Sequence, residues 1–267
     1  MSETPASRAP VLFVGHGSPM NAIEDNRFSQ AWGAIGRSLP RPRAILSVSA
    51  HWYVNGTFVT DGPEPRTIHD FGGFPRPLFE VQYPARGDEA LARRVSSLVE
   101  RARSSGLCTD WGLDHGTWSV LVHLFPEADV PVLQLSIDRR LSAAEHLAIG
   151  RALAPLRDEG VLVLGSGNLT HDLRHAMPNL GRSDVPVPEW ASRFDTDVAE
   201  AFAQRDTDYL ARAIESDAGR RAHPTPDHYL PLLYVAALAD DRDRVSEPVS
   251  GFDAGSISMR ALRLDPA

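Results

Sequence analysis

Short apolar runs alternate with helical patterns along the chain, and this alternation restricts the possible folds more than any other feature. Four runs are rich in β-branched residues and typical of strands buried on both faces: residues 11–14 (VLFV), 44–49 (AILSVS), 130–137 (VPVLQLSI) and 161–164 (VLVL). Periodic apolar spacing and Ala-rich composition predict helices over residues 88–104, 142–157, 189–205, 206–216 and 229–238. We therefore expect an α/β fold in which helices flank a central sheet.

The remaining segments complete this prediction. Residues 251–264 alternate as a last strand, whereas 62–86 and 178–188 are rich in Pro and Gly and predict long loops, which often carry function. No interdomain linker is visible. We expect one catalytic domain over residues 10–265, preceded by a flexible N-terminal tail over residues 1–9.

Composition and charge exclude several classes of partner. The formal net charge is -8 and the sequence pI is about 5.7, which disfavours nucleic acids and anionic membrane surfaces. Cys108 is the single cysteine, so no disulfide can form within the chain. The N-terminus lacks a secretory signal pattern, and no apolar run approaches the roughly 20 residues of a membrane span. We expect a cytoplasmic protein.

Histidines follow the predicted strands at several points. His16 comes directly after the first strand, His51 ends AILSVSAHW, and His171 follows VLVLGSGNLT. His115 and His228 lie in predicted loops that also contain glycine or proline next to the histidine or near it. Because ligands bind at the carboxyl ends of strands in open α/β sheets, these imidazoles predict a shared metal or proton-transfer site.

The ligand chemistry follows from this composition. Histidine-rich sites with few carboxylates suit Zn(II) or Fe(II), and a catalytic site needs about three ligands, which leaves other histidines for acid–base work. By sequence alone, His223 competes with His228 as the third ligand. The sequence has no helical H-E-x-x-H pattern, no G-x-S-x-G elbow and no phosphate-binding loop.

Six motifs in order carry a family resemblance over nearly the whole chain: GHGSPM, SAHW, TIHDFGGFP, DHGTW, GSGNLTHDLR and PTPDHYLPLLY. Together they resemble the DODA-type branch of the LigB-like extradiol ring-opening dioxygenases. The resemblance implies a single α/β domain around a mixed sheet, described as LigB-like or phosphorylase-like. It also implies one divalent metal per chain, Fe(II) for dioxygenase activity or Zn(II) as purified.

The resemblance also implies roles for individual residues. Metal ligands would be His16, His51 and His228, with His171 as the acid–base residue and His115 as a catalytic residue that bonds substrate or oxygen. Asp114, His69 and Trp52 are candidates for substrate binding. Phe71, Phe74 and Trp118 are further candidates for walls of an aromatic pocket, whereas His123, His146 and His175 are expected to be surface or structural residues.

The implied activity is extradiol cleavage of a catecholic substrate by O₂, as in 4,5-DOPA dioxygenases. Two alternatives stay open: a zinc-dependent hydrolase with Asp114 as base, and a non-catalytic, Memo-like metal-binding or interaction protein on the same scaffold. The expected partners are a small aromatic diol and O₂, without nucleic acid or membrane, and the oligomeric state is left open. Arg76 and Arg174 are the first candidates for binding a substrate carboxylate.

Overall fold

The strands that the apolar runs predict lie side by side in one large sheet. The computed structural model describes residues 8–182 and 184–267. The strands of this part of the chain are β1 Val11–Gly15, β2 Ala44–Val54, β3 Thr57–Thr60, β4 Ser105–Cys108, β5 Val132–Asp138, β6 Val161–Gly167, β7 Arg244–Val249, β8 Phe252–Asp253, β9 Ile257–Ser258 and β10 Ala261–Asp265.

The main sheet has eight strands in the order β4-β3-β5-β2-β6-β1-β10-β7, and β8 pairs with β9 separately. Strands β5, β2, β6 and β1 run parallel, whereas β10 is antiparallel to both β1 and β7. The sheet is therefore mixed, as the sequence predicted. Its parallel centre brings the carboxyl ends of β1, β2 and β6 to one edge.

The helices cover this sheet. Those in the described residues are α1 Arg27–Ser38, α2 Arg76–Phe79, α3 Glu89–Val99, α4 His115–Leu124, α5 Ala143–Ala152, α6 Pro155–Asp158, α7 Leu173–Ala176, α8 Glu189–Ala203, α9 Thr207–Ala213, α10 Asp217–Ala222 and α11 Leu230–Ala236. Short 3₁₀ turns cover Pro19–Ala22 and Met177–Asn179. None of these helices has the length and apolar character needed to cross a bilayer, within the residues described.

Both faces of the sheet are buried. Val11 and Phe13 belong to one apolar core, which packs against α3, α5, α8 and α11, and Leu12 belongs to a second core against α1 and α4. Alternate residues of a strand point to opposite faces, so each face of β1 contributes to a different core. This double burial explains why the central strands read as unbroken apolar runs.

Element ends differ from the sequence predictions for local reasons. The predicted helix over 88–104 ends at Val99, because the chain turns into the edge strand β4. Pro155 begins a separate short helix, which splits the helix predicted over 142–157. The single last strand predicted over 251–264 is wrong, since the turn at Ala254 and Gly255 divides this segment into β8, β9 and β10.

Residues 1–7 of the predicted N-terminal tail lie outside the described residues. Ala9 is buried, and its amide donates to the carbonyl of Arg157 at 2.7 Å. The chain is thus attached to the amino-terminal edge of the sheet immediately before β1 begins.

Candidate metal centre

His16 leaves the end of β1 and is almost completely buried, with 1% of its surface exposed. Its backbone amide donates to Gly167 at the end of the neighbouring β6, and its carbonyl accepts from Asn21 Nδ2 at 3.1 Å. Both bonds fix the backbone of His16 against the sheet edge. The imidazole is therefore held by regular structure rather than by a free loop.

His51 lies inside β2 rather than after it, because β2 continues to Val54. The register of β2 against β5 shifts between Val48 and Tyr53, so His51 lies in an irregular part of the strand. Such an irregularity re-aims a side chain relative to its neighbours. Gly116 gives the ring room, since a Cβ there would lie 3.0 Å from His51 Cδ2 and 2.5 Å from Ser49 Oγ.

The rings of His16, His51 and His228 form a nearly regular triangle. Their centroids are 5.0 Å apart for His16 and His51, 5.2 Å for His16 and His228, and 5.0 Å for His51 and His228. Three imidazoles that bind one ion through Nε2 at about 2.1 Å in tetrahedral directions have centroids about 5 Å apart. The triangle therefore has the dimensions of a three-histidine metal site.

The other ring nitrogen of each histidine is already engaged. Ser166 Oγ donates to the Gly116 carbonyl, so it accepts from His16 Nδ1, which lies 3.0 Å away. His51 Nδ1 lies 3.2 Å from Asp70 Oδ2, and His228 Nδ1 lies 3.1 Å from Asp227 Oδ2. With the proton on Nδ1 in all three rings, each Nε2 presents a lone pair.

Two of these lone pairs face each other. His16 Nε2 and His51 Nε2 are 3.0 Å apart, which is a hydrogen-bond distance. Because both nitrogens are acceptors in the tautomers that Ser166 and Asp70 select, the contact is repulsive until a cation lies between them. The donor set thus fits a divalent metal such as zinc or iron, for which neutral imidazole is a preferred ligand.

Burial favours the neutral form of these imidazoles. Desolvation, followed by repulsion from the neighbouring histidines, holds the pKa of His16 and that of His228 well below the usual histidine value. The pKa of His51 is lowered in the same way, although the charge of Asp70 partly opposes the shift. The cluster is uncharged at neutral pH and ready to bind a cation.

His115 also lies against the cluster. A nitrogen of His115 and one each from His16 and His51 lie within 4.8 Å of one another, so this set could also hold an ion. However, its ring centroid is only 3.8 Å from that of His51, closer than the ligands of the regular triangle. The triangle with His228 is therefore the more evenly spaced of the two sets, and the set with His115 is the more compact.

Asp70 is a site residue that sequence reasoning missed in favour of its neighbour His69. One oxygen of Asp70 lies 3.0 Å from His115 Nδ1 and 3.2 Å from His51 Nδ1, and the other accepts from the His115 amide at 2.9 Å. Burial would raise the pKa of Asp70, but the hydrogen bonds and charges of His115 and His51 lower it to about 2. Asp70 is thus an anion that orients two imidazoles.

His171 stacks on His228. The two rings are parallel, with 3.5 Å between centroids and 5° between planes. The backbone of His171 pairs with Ile257 and donates to Ala222, which fixes the ring beside the cluster. Burial, followed by repulsion from His223, lowers the pKa of His171 to about 4.

Asp114 is completely buried behind His115, at the N-terminus of α4. Its carboxylate accepts from Ser49 Oγ and from Gln134 Nε2, each at 2.7 Å. Burial and the charge of Asp70 raise the pKa of Asp114 to about 6, while the bonds from Ser49 and Gln134 oppose that shift. Both oxygens are occupied by protein groups, so Asp114 holds the scaffold beneath the histidines.

His69 and Trp52 lie farther from the triangle. His69 Nε2 donates to the carbonyl of Val81 at 3.0 Å, and its ring packs on Trp118 with centroids 5.4 Å apart. Trp52 is buried and stacks on Trp111 at 5.6 Å.

Phe71 connects the aromatic residues of the long loop with the histidines. Its ring meets His115 edge-on at 5.4 Å and Phe74 at 5.3 Å. Phe71 and Phe74 thus form an aromatic pair beside His115, whereas Trp118 is fully buried. His223 is also buried, and its Nε2 donates to the carbonyl of Leu169 at 2.9 Å.

Comparison with known proteins gives a consistent result. The family described as "Catalytic LigB subunit of aromatic ring-opening dioxygenase" matches residues 10–255. A protein of Escherichia coli (strain K12) named "4,5-DOPA dioxygenase extradiol" is 43% identical over 262 residues, which cover 97% of this chain and 96% of that protein.

Two further matches cover almost the whole chain. A protein of Beta vulgaris with the same name is 36% identical and covers 94% of this chain and 95% of its own length. The crystal structure of an uncharacterised Escherichia coli K12 protein superposes with a TM-score of 0.82 at 39% identity, over 97% of this chain and 100% of that one.

Proposed function

This chain belongs to the family of catalytic LigB subunits of aromatic ring-opening dioxygenases, and we propose that it is a metal-dependent extradiol dioxygenase that cleaves a catechol with O₂. The observation that carries the proposal is the triangle of His16, His51 and His228, whose ring centroids lie 5.0–5.2 Å apart while each Nδ1 lies within hydrogen-bond distance of a partner. The substrate we propose is a catechol related to DOPA, in line with the names of the relatives.

The three ligands we propose are neutral imidazoles. Unlike the set of two histidines and one carboxylate common in non-haem iron enzymes, they leave the full charge of a divalent ion on the site. A bound Fe(II) would supply the redox chemistry that activation of dioxygen needs, and Zn(II) would not, because zinc does not change oxidation state. The net positive centre favours a substrate that binds as an anion.

A catechol that binds as an anion must release a proton. His115 is suited to accept it, because Asp70 fixes its proton on Nδ1 and leaves Nε2 as a lone pair. The Asp70 carboxylate then stabilises the imidazolium that forms. His171, stacked against His228, is the second proton carrier that we propose, and it returns a proton when the ring opens.

The aromatic loop residues exclude water from this reaction. Phe71 lies edge-on against His115, and Phe74 packs on Phe71. An aromatic substrate ring placed beside His115 gains edge-to-face contacts of the same kind. We propose that these two side chains orient the catechol ring, while the histidines bind its hydroxyl end.

The hydrolase alternative needs a carboxylate base that can reach water. Asp114 was the candidate, but it is completely buried and bonded to Ser49 and Gln134 through both oxygens. The ring-opening reaction requires no such base, and the geometry therefore favours it.

A reconstitution experiment tests the proposal. Metal-free protein is loaded anaerobically with Fe(II), mixed with L-DOPA, caffeate or protocatechuate, and exposed to oxygen. We expect oxygen uptake together with a yellow ring-opened product, in equal molar amounts. Protein loaded with Zn(II) is the matched control and should consume no oxygen. Lack of uptake with every catechol would exclude the dioxygenase function.

A further inference from the structure

A cavity of about 580 Å³ is lined by segments that neighbour the histidine cluster along the chain, and the proposed chemistry leaves it unused. Three of its walls come from segments that also carry the centre. Ser18 lies two residues after His16, Phe74 packs on Phe71, and Gly255 lies two residues before Ile257, which pairs with His171. These shared segments relate the cavity to the site that holds the diol in the proposed function.

Arg27, the first residue of α1, lines the cavity and lacks an ion pair within the part of the chain described. Its one hydrogen bond there is long, 3.4 Å from Nη2 to the carbonyl of Phe252. A guanidinium has five donors, so most of them are available to a ligand. The helix dipole does not explain this residue, because a cation is disfavoured at a helix N-terminus and the first turn of α1 has no acidic residue.

The guanidinium is nevertheless held in place. Its carbon lies 4.4 Å from the centre of the Phe28 ring, a cation–π arrangement. On the other side lies Gly251, where a Cβ would come within 2.6 Å of Arg27 Nη2. Gly251 also has a φ of +107°, which other residues rarely adopt. Because Gly251 has no side chain, it leaves space for the planar guanidinium of Arg27.

The other charges of the cavity complement Arg27. Glu24 and the half-buried Asp253 also line it, and neither has an ion pair in the described residues. Arg182 lines it as well but lies 3.6 Å from Asp184. One available guanidinium beside two carboxylates matches a group with both a negative and a positive charge. A neutral or purely anionic substituent would leave at least one of these charged side chains without an opposite charge.

The arginines suggested by the sequence are already occupied. Arg76 Nε donates to Glu80 at 2.7 Å, and its side chain is 89% exposed. Arg174 Nε donates to Asp172 at 3.0 Å. Neither residue lines the cavity.

We propose that Arg27 is the specificity-determining residue that binds the carboxylate of an amino-acid substituent on the catechol, with Asp253 facing its ammonium group. This inference rests on the proposed function for the position of the diol. It predicts that the enzyme separates catechols by their substituent rather than by their ring. Two charge-assisted hydrogen bonds from one guanidinium would fix the carboxylate.

The test measures binding rather than turnover. Zinc-loaded protein, which cannot turn the substrate over, is titrated by calorimetry with L-DOPA, with dopamine, which lacks the carboxylate, and with 4-methylcatechol, which lacks both charges. Arg27→Gln should raise the dissociation constant of L-DOPA at least about tenfold. It should change the constants of dopamine and 4-methylcatechol less than about twofold, and Arg27→Lys should restore part of the L-DOPA affinity.

Arg76→Gln is the matched control and should leave all three dissociation constants unchanged. An equal effect of Arg27→Gln on the three ligands, or no effect on L-DOPA, would overturn the assignment of Arg27. This outcome is separate from failure of the proposed function. That failure would appear as absence of oxygen uptake by the Fe(II)-loaded wild type, while the binding comparison would still decide the role of Arg27.

Discussion

The sheet has an amino-terminal edge, where its parallel strands begin, and a carboxyl-terminal edge, where they end. These two edges bury polar groups in opposite ways. At the amino-terminal edge, the fully buried Arg157 donates to Asp243 through two nitrogens, at 2.6 and 2.8 Å, and to the carbonyls of Ala9 and Leu238. At the carboxyl-terminal edge, His16 and His51 present two acceptors to each other at 3.0 Å. The first cluster is complete within the chain, whereas the second is completed by a cation in the proposed function.

This difference distinguishes buried polar groups that stabilise the fold from buried polar groups that bind a ligand. A buried charge whose partners are all protein groups contributes to the fold, and its removal costs stability. A buried cluster whose acceptors converge without a donor is best satisfied by a bound cation, so loss of one of its residues costs binding. The comparison predicts that substitutions at the two edges change different measured quantities.

The largest effect is expected for His16→Ala, which removes one corner of the triangle. The metal content of protein purified without chelator should fall below about 0.1 ion per chain, because loss of a ligand exceeds the roughly 10–100-fold cost of losing an outer hydrogen-bond partner. Atomic emission measures the metal, and oxygen uptake should be abolished. An unchanged metal content would show that His16 is not a ligand.

At the other edge, Arg157→Met should lower the free energy of unfolding by about 3–5 kcal/mol, because it leaves the buried carboxylate of Asp243 without its charged partner and with only the Asp240 amide as donor. Urea unfolding followed by circular dichroism measures this loss. The matched control is Arg94→Met, which breaks the more exposed pair with Glu159 and should cost less than about 1 kcal/mol. The metal content of both variants should equal that of the wild type. Loss of metal from the Arg157 variant would contradict the separation of the two edges.

Asp70→Asn should affect the site through its histidines. The amide keeps the size of the carboxylate but has no charge and only one acceptor oxygen, so it cannot accept both from the His115 amide and from the imidazoles of His51 and His115. We expect a roughly 10–100-fold lower metal affinity or kcat/KM, with urea unfolding of the metal-free protein little changed. Asp70→Glu should recover part of the affinity. A loss of stability without loss of metal would assign Asp70 to the fold alone.

The smallest effect concerns a buried histidine outside both clusters. His146 is completely buried and bonds Tyr234 at 2.9 Å, and burial lowers its pKa to about 4. The unfolded chain binds this proton more readily, so the stabilisation is complete above the usual pKa near 6.5 and decreases as the pH falls towards 4. His146→Gln should remove about 1 kcal/mol of the stability difference between pH 7.5 and 5.5. Equal pH slopes for variant and wild type would contradict this shift.

The sequence predicted the central part of the fold because β5, β2, β6 and β1 are covered on both faces. Strands of this kind must be continuously apolar, and this pattern is visible without tertiary information. The edge strands β4 and β7 were not predicted, since half-exposed residues leave no such pattern. Helix α1 was also missed, although Asn26 and Ser29 form a capping box at its start, a signal that could have found it.

The candidate ligand histidines could be selected from the sequence, but the residues that hold their rings in place could not. Ser166 lies in a Gly- and Ser-containing strand end, and only the pairing of β6 with β1 brings it opposite Val14 and next to His16. Asp70 lies in a long loop whose path follows no periodic pattern. Arg27 was not a candidate because its role depends on Phe28, Gly251 and a cavity formed by distant segments.

A single oxygen of Asp70 lies within hydrogen-bond reach of both His51 and His115. The two rings therefore share one negatively charged hydrogen-bond acceptor. In the proposed reaction, a proton taken up by His115 would draw the shared carboxylate charge towards that ring, and His51 would become a weaker electron donor to a bound metal. Substrate binding at one imidazole would then change the chemistry of its neighbour through a single oxygen atom, without movement of the backbone.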